Sequence, residues 1–308
     1  MLLMTRTIPP AVEARAAARY QIRQLALEGA FDPQLVLQNL DGVSAILCTP
    51  ADRFDAALIA ALPPAIRVVA TFSVGMEHID IAAAAARGIA VCNTPDVLSV
   101  ATAELALTLM LMAARRAGEG ERLLRAGKWR GISPTFHLGI GVAGKSLGIL
   151  GMGRIGRELA NMVRGLAMTV HYRNRTRLAP ALENGAHYHE TDESFLAAVD
   201  FLSINIPGGA ATRHWLNAAR LAMLRPGAVV VNTGRGSTVD DDALIAALRT
   251  RHVAAAGLDV FDNEPDIHPG YQQLENVVLL PHIGSATVET RDAMGHLALD
   301  GIAAALGR

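Results

Sequence analysis

Short apolar runs alternate along this chain with stretches whose apolar positions recur at helical spacing. That alternation predicts βαβ units and parallel sheets. In the first part of the chain, strands are predicted at 45–48, 68–72 and 89–92, with helices near 11–19, 33–40, 52–61 and 81–86. A long helix is predicted over 102–126, followed by a looser stretch, 127–144, that holds Trp129, Pro134 and several glycines. A second series of strands follows at 147–150, 168–172, 201–206, 228–232, 254–259 and 277–280. The last helix, 286–306, has no strand left to serve in that series and is predicted to cross back onto the first unit. The pattern therefore predicts an α/β protein with two doubly wound, Rossmann-like or flavodoxin-like domains. One is discontinuous, 1–98 plus 285–308, and the other is 99–284. The ligand site is expected in the interdomain cleft, at the carboxyl ends of the second unit's strands.

The turn after the first strand of the second series carries the most specific signal. Gly151, Gly153 and Gly156 form a G-x-G-x-x-G pattern between an apolar strand and an amphipathic helix that keeps Ile155, Leu159, Met162 and Val163 on one face. In such a turn the first glycine allows a tight bend, the second lets backbone approach a pyrophosphate, and the third lets helix pack on strand. The helix N-terminus offers unpaired amides to the phosphates. A dinucleotide is the implied cofactor. Where an NAD site carries an acid for the ribose 2′-hydroxyl, no acidic residue occurs between Glu158 and Glu183. Arg173, Asn174, Arg175, Thr176 and Arg177 stand there instead, donors suited to a 2′-phosphate, so NADP(H) is expected over NAD(H).

Composition narrows the partners. A net charge of −1 over 308 residues gives no electrostatic case for nucleic acid or an anionic membrane. The two cysteines, Cys48 and Cys92, lack metal spacing and are too few for a disulfide framework. No metal site is expected. Arg6, Pro9 and Pro10 interrupt the apolar start before a signal sequence forms. The most apolar helix is too short to span a bilayer, and a cytoplasmic location is expected. That helix is apolar around most of its circumference through Leu105, Leu107, Leu109, Met110, Leu111 and Met112, which suggests a homodimer seam.

Three polar residues fall just beyond strand ends of the second unit: Arg235 after 228–232, Glu264 after 254–259, and His282 after 277–280. Taken singly, each has an ordinary explanation, and His282 is one of ten histidines. Their shared position at the ligand-binding edge of an open sheet sets them apart. A guanidinium grips a carboxylate, a histidine transfers a proton near neutral pH, and a carboxylate orients that histidine and favours its charged form.

These blocks resemble the D-isomer-specific 2-hydroxyacid dehydrogenases, in particular their glyoxylate/hydroxypyruvate reductase branch. The resemblance rests on the motifs at 151–156, 232–236 (Asn-Thr-Gly-Arg-Gly), 257–261 with Glu264-Pro265, and 281–286 (Pro-His-Ile-Gly-Ser-Ala). It also rests on 73–80 and on 93–96 running into 101–104. It implies catalytic roles for Arg235, Glu264 and His282, with His282 as general acid/base. It implies substrate-carboxylate contacts from the backbone of Val74 and Gly75 beside Arg235 and His282, and a carboxamide contact from Asp259. Further implied cofactor contacts are Gly151, Gly153, Arg154, Ile155, Gly156, Asn174, Arg175, Thr176, Thr102, Pro207, Thr212, Thr233, Gly234, His282 and Gly284. The family branch carries a second aromatic after Trp129 where this chain has Gly131 and Ile132, which bears on substrate size. No regulatory segment is expected after the last helix. The reaction implied is NADPH-dependent reduction of a small 2-oxo acid, glyoxylate or hydroxypyruvate, to the 2-hydroxy acid. The alternatives are a corepressor-like cofactor-binding module, a branch acting on bulkier 2-oxo acids, and a formate- or phosphite-oxidising branch.

Overall fold

The computed structural model describes residues 1–307. They form two compact units, one of residues 1–98 with those from 285 onward, the other of residues 99–284. In the first, β1 (Leu2–Met4), β2 (Ile22–Gln24), β3 (Ala45–Cys48), β4 (Val68–Thr71) and β5 (Ala90–Cys92) pair in the order β2-β1-β3-β4-β5. All pairings are parallel. The strand pleat sends alternate residues to opposite faces. Leu2, Met4, Ala45 and Leu47 meet Val12, Ala16, Met294, Ala298 and Ile302 of the first and last helices. Leu3, Ile46, Cys48 and Val69 meet Val36, Leu58, Ile59 and Ala84 on the other side. Strands buried on both faces read as unbroken apolar runs, which is why β3 and β4 stand out in the sequence.

β1 and β2 do not stand out. Each has three residues, and β2 is a half-buried edge strand, Ile-Arg-Gln, with no apolar run at all. The last helix, Val288–Leu306, packs on this unit closely enough that a Cβ on Gly295 would lie 2.5 Å from the Val12 methyls. It starts at Val288 because Thr287 caps it, accepting from the Thr290 amide at 3.1 Å. The helix predicted over 52–61 starts only at Ala56, capped by Asp55, because Asp52 is drawn into the core.

The second unit has seven parallel strands: β6 (Ser146–Leu150), β7 (Thr169–Arg173), β8 (His187–Tyr188), β9 (Phe201–Ile204), β10 (Ala228–Asn232), β11 (Val253–Leu258) and β12 (Val277–Leu279). Their order is β12-β11-β10-β9-β6-β7-β8, so the chain reverses direction across the sheet between β6 and β9. β8, a two-residue edge strand, has too little length to leave a pattern.

The predicted long helix is two helices, Ser99–Ala114 and Ala117–Arg125. Arg116 breaks it at φ 53°, and its guanidinium is held by Glu119 at 2.6 Å and by the Leu138 carbonyl at 3.2 Å. The Leu138 partner is distant in sequence, so local periodicity could not reveal the break. The first of the two helices buries Ala103, Ala106, Leu109, Met110 and Ala113 on its own unit's sheet. Leu109 lies so close to β11 that a Cβ on Gly257 would sit 2.8 Å from it. Of this helix's large apolar side chains, Leu109 and Met110 are buried in this unit, while Leu105, Leu107, Leu111 and Met112 are only half-buried. No helix among the described residues is long and apolar enough to cross a membrane.

Candidate active site

The carboxyl ends of β6 and β9 flank the point where the strand order reverses, the place where open parallel sheets bind ligands. Gly151 turns there at φ 89°, and a Cβ on it would come within 2.8 Å of Ile206. Gly156 packs its helix onto the turn, with a Cβ position only 2.6 Å from the Gly151 carbonyl oxygen. A Cβ on Gly153, in contrast, would meet nothing within 4 Å. Gly153 is also the N-cap of helix Arg154–Met162, which has no side-chain cap. The first amides of that helix and the open space over Gly153 together make a cradle that fits a pyrophosphate.

The end of β7 is stitched to this turn. The Gly151 amide donates to the Arg173 carbonyl at 3.0 Å, and the Met152 amide donates to Asn174 Oδ1 at 2.7 Å. Of the three arginines here, two are already engaged. Arg173 pairs with Asp192 at 3.1 Å, and Arg177 pairs with Glu183 at 2.7 Å. Arg177 and the Tyr172 hydroxyl together hold the Glu183 carboxyl down to about 2. The acids the sequence seemed to lack are supplied from farther along the chain. Arg175 is exposed and makes no ion pair among the described residues, and Thr176 beside it is exposed too. The donors open to a 2′-phosphate are therefore Arg175, Thr176 and the Asn174 amide group.

Residues Asn232, Leu258 and Leu279 end three neighbouring strands in register, so the loops beyond them start side by side. Two of these loops touch backbone to backbone: a Cβ on Gly236 would fall 1.8 Å from the Phe261 carbonyl carbon, so only glycine fits. This contact holds the Arg235 loop against the loop that carries Glu264. The Arg235 stem lies along Gly208, whose Cβ position is 3.2 Å from Arg235 Cγ. The Asn232 side chain donates to the Arg235 carbonyl at 3.1 Å and accepts from the Gly234 amide at 3.0 Å.

His282 Nδ1 donates to Glu264 Oε2 at 2.7 Å, while Glu264 Oε1 accepts the Phe261 amide at 2.8 Å. Both carboxylate oxygens are thus in use, one to fix the carboxylate and the other to orient the imidazole. The Nδ1–H donation leaves Nε2 as the nitrogen for proton exchange. His282 sits at φ 53°, a conformation costly for a side-chain-bearing residue. Asp259 holds it there. Its backbone carbonyl accepts the His282 amide at 2.9 Å, and its carboxylate accepts the amides of Ile283 at 2.7 Å and Gly284 at 2.8 Å. Burial pushes the Asp259 carboxyl above its ordinary range, and the two amides pull it back. Asp259 is 1% exposed, so its first task is to shape the His282 loop.

An imidazole–carboxylate pair, an arginine and a dinucleotide cradle along one edge of a single sheet fit hydride-transfer chemistry on a carboxylate substrate. The NAD-binding domain model of the D-isomer-specific 2-hydroxyacid dehydrogenases matches residues 107–284. The chain belongs to that family. It is 39% identical to the glycerate dehydrogenase of Hyphomicrobium methylovorum, over 99% of this chain and 96% of the relative. It is 42% identical to the glyoxylate reductase of Thermococcus litoralis, over 85% and 80% respectively. Its structure resembles the NADPH-dependent glyoxylate/hydroxypyruvate reductase of Sinorhizobium meliloti, solved with NADP and malonate. There the TM-score is 0.85 at 37% identity, covering 98% of this chain and 92% of that one.

The other side chains expected to contact the cofactor of this 2-hydroxyacid dehydrogenase are held by their own neighbours. Thr212 Oγ1 donates to the Pro207 carbonyl at 2.7 Å, and Thr233 Oγ1 donates to Asn205 Oδ1 at 3.3 Å. Thr102 is buried beside Gly284, and Ile155, half-buried, packs against the core of the unit. In the other unit, neither the Val74 nor the Gly75 amide donates within the described residues. Asn205 and Gly208 shape the site although the sequence pattern did not mark them, and Gly236 was marked only as part of a motif. Only their tertiary neighbours give them a role.

Proposed function

We propose that this dehydrogenase reduces small 2-oxo acids, glyoxylate and hydroxypyruvate among them, to 2-hydroxy acids with NADPH. The observation that carries this reading is the 2.7 Å His282–Glu264 pair, held by Asp259 on the same sheet edge as the glycine turn. The names of the glycerate dehydrogenase and glyoxylate reductase relatives support the substrate class. The open Arg175 and the NADP-complexed neighbour support the cofactor.

The glycine turn and the amides of helix Arg154–Met162 hold the pyrophosphate, and Arg175, Thr176 and Asn174 hold the 2′-phosphate. When bound, the dihydronicotinamide supplies a hydride to the keto carbon. Arg235 grips the substrate carboxylate, and the Val74 and Gly75 amides offer carboxylate donors on the first unit. His282 Nε2 gives its proton to the carbonyl oxygen as negative charge grows there, and Glu264 stabilises the imidazolium that donates it. In oxidation the same nitrogen takes the proton back.

Steady-state kinetics over a panel of 2-oxo acids, each with NADPH and NADH, tests the reading. Turnover of glyoxylate or hydroxypyruvate with NADPH as the better reductant is expected. No oxidation of NADPH with any panel member would overturn it in favour of a binding role. We also propose a homodimer, its seam on the apolar helix Ser99–Ala114, where Leu105, Leu107, Leu111 and Met112 are only half-buried. A monomer mass by light scattering would reject it.

A further inference from the structure

The loop after β4 has an unusual division of its backbone groups. Three consecutive carbonyls are fixed by the protein. The Ser73 carbonyl accepts the Thr94 amide at 2.8 Å, the Val74 carbonyl accepts Asn93 Nδ2 at 2.8 Å, and the Gly75 carbonyl accepts Ser73 Oγ at 2.6 Å. In a planar trans peptide the N–H points opposite to the C=O of the residue before it. Fixing the Ser73 carbonyl therefore aims the Val74 amide, and fixing the Val74 carbonyl aims the Gly75 amide. Those are the two amides that donate to nothing among the described residues.

The Ser73 hydroxyl is itself the end of a directed chain. Its one proton goes to the Gly75 carbonyl, so at 2.8 Å it must accept from Thr71 Oγ1. Thr71 has then used its proton and accepts from His78 Nε2 at 2.8 Å. Thr71 is fully buried and Ser73 nearly so, which makes each of these bonds costly to leave unmade. Val74, by contrast, is 39% exposed. The loop is rigid behind and open in front, as a preorganised anion site requires.

We propose that Asn93, together with the Ser73–Thr71–His78 chain, is a positioning element that aims the Val74 and Gly75 amides at the substrate carboxylate and so makes the enzyme selective for acids over neutral carbonyls. Neither Asn93 nor the hydroxyl chain touches the substrate. They act through the peptide planes between them and it. This rests on the reading that those amides hold the carboxylate.

The test compares glyoxylate with its methyl ester, a neutral substrate. Asn93→Ala is expected to raise KM for glyoxylate about tenfold, the equivalent of one lost hydrogen bond. kcat, KM for NADPH and KM for the ester should stay within about twofold. Ser73→Ala should act in the same sense, and Ser73→Thr, which keeps the hydroxyl, should restore the acid preference. An equal rise for acid and ester, or a change confined to NADPH, would overturn the positioning role. Gly75→Pro, which removes the N–H itself, separates the two claims. If it leaves KM for glyoxylate unchanged in a protein of native circular dichroism, the carboxylate is held elsewhere and the underlying reading fails, whatever Asn93 does. A large Gly75→Pro effect with a silent Asn93→Ala would sink only the positioning claim.

Discussion

Both units are doubly wound parallel sheets, and each has a point where its strand order reverses, yet the two points are used in opposite ways. In the second unit the reversal between β6 and β9 is lined by Gly151, Gly153 and an uncapped helix, and it is left open. In the first unit the reversal falls at β1 and β3, and a buried polar cluster fills it. Asp52, fully buried, accepts from Thr5 Oγ1 at 2.6 Å, the Thr49 amide at 2.9 Å and Arg6 Nε at 2.8 Å. Arg6 in turn donates to the carbonyls of Leu27 at 3.0 Å and Gly29 at 2.9 Å, closing the loops over the strand ends. The same topology yields a ligand cradle where glycines leave backbone bare, and a structural staple where side chains satisfy each other. Function follows the residues at the switch point, not the fold.

The sharpest way to break this contrast is at the catalytic edge of the open unit. Replacing His282 by Gln keeps the shape of the loop but removes proton exchange. kcat for 2-oxo acid reduction should fall by ~10²–10⁴-fold, the range for a positioned acid/base. Affinity for NADPH, read by fluorescence titration, should hardly move. Near-wild-type turnover would mean that the proton comes from another group.

Next in size is Asp52→Ala in the closed unit. Removing one partner of a buried ion pair leaves the other charge uncompensated, a loss of about 3–5 kcal/mol. Chemical denaturation should show a loss of that order, while NADPH binding by the folded protein is kept. A variant that lost cofactor affinity but kept its stability would reverse the assignment of the two switch points.

Third comes the end of β7. One charge-assisted hydrogen bond contributes roughly 1.5–3 kcal/mol, or about 10- to 150-fold in affinity. Arg175→Ala should weaken NADPH by that factor and leave NADH nearly unchanged. Arg177→Ala, which takes the partner from Glu183, should affect stability more than cofactor choice. Equal losses for the two cofactors on changing Arg175 would mean that it does not read the 2′-phosphate.

What the sequence disclosed and what it hid follow one physical line. β3, β4, β9 and β10 are buried on both faces and print themselves as apolar runs. β2 and β8 are edge strands held by backbone pairing, which leaves no trace in side-chain pattern. The glycine turn was legible because its demands are local: a positive φ at Gly151 and a close approach at Gly156. Gly236 was marked only as the end of the 232–236 motif, and its demand on space, like the milder one at Gly208, is made by groups distant in sequence, so the residue pattern alone did not reveal it. The donor-rich stretch after β7 was legible in part. Its lack of local acids suggested that all three arginines were open, whereas Asp192 and Glu183 fold back to take two of them. The break at Arg116 was hidden for the same reason, since the groups that stabilise it include Leu138 and His137.

The smallest expected effect concerns acid, and it sharpens the contrast by asking which sheet loosens first. On β7 and just past β8, His171 Nδ1 and His189 Nε2 share a hydrogen bond of 2.9 Å, and the His187 ring lies 5.2 Å from that of His171. Burial first, then the neighbouring His189, His187 and Arg225, lower His171 from an ordinary 6.5 to about 4, against a smaller opposing pull from Asp200. Burial lowers His189 in the same direction. A histidine whose folded pKa is depressed takes up its proton more readily when unfolded. Stability should therefore be flat above the ordinary histidine range and decline as pH falls from about 6.5 towards 4. Because the group is only half-buried, solvent screening keeps the slope shallow. Hydrogen exchange at pH 5 against pH 7 should show protection lost first at β7 and β8, which lead into Asn174 and Arg175, with β3 and β4 unaffected. His171→Phe should flatten that difference. If β3 lost protection at the same pH as β7, the acid response would belong to the whole protein and not to the open edge of the cofactor sheet.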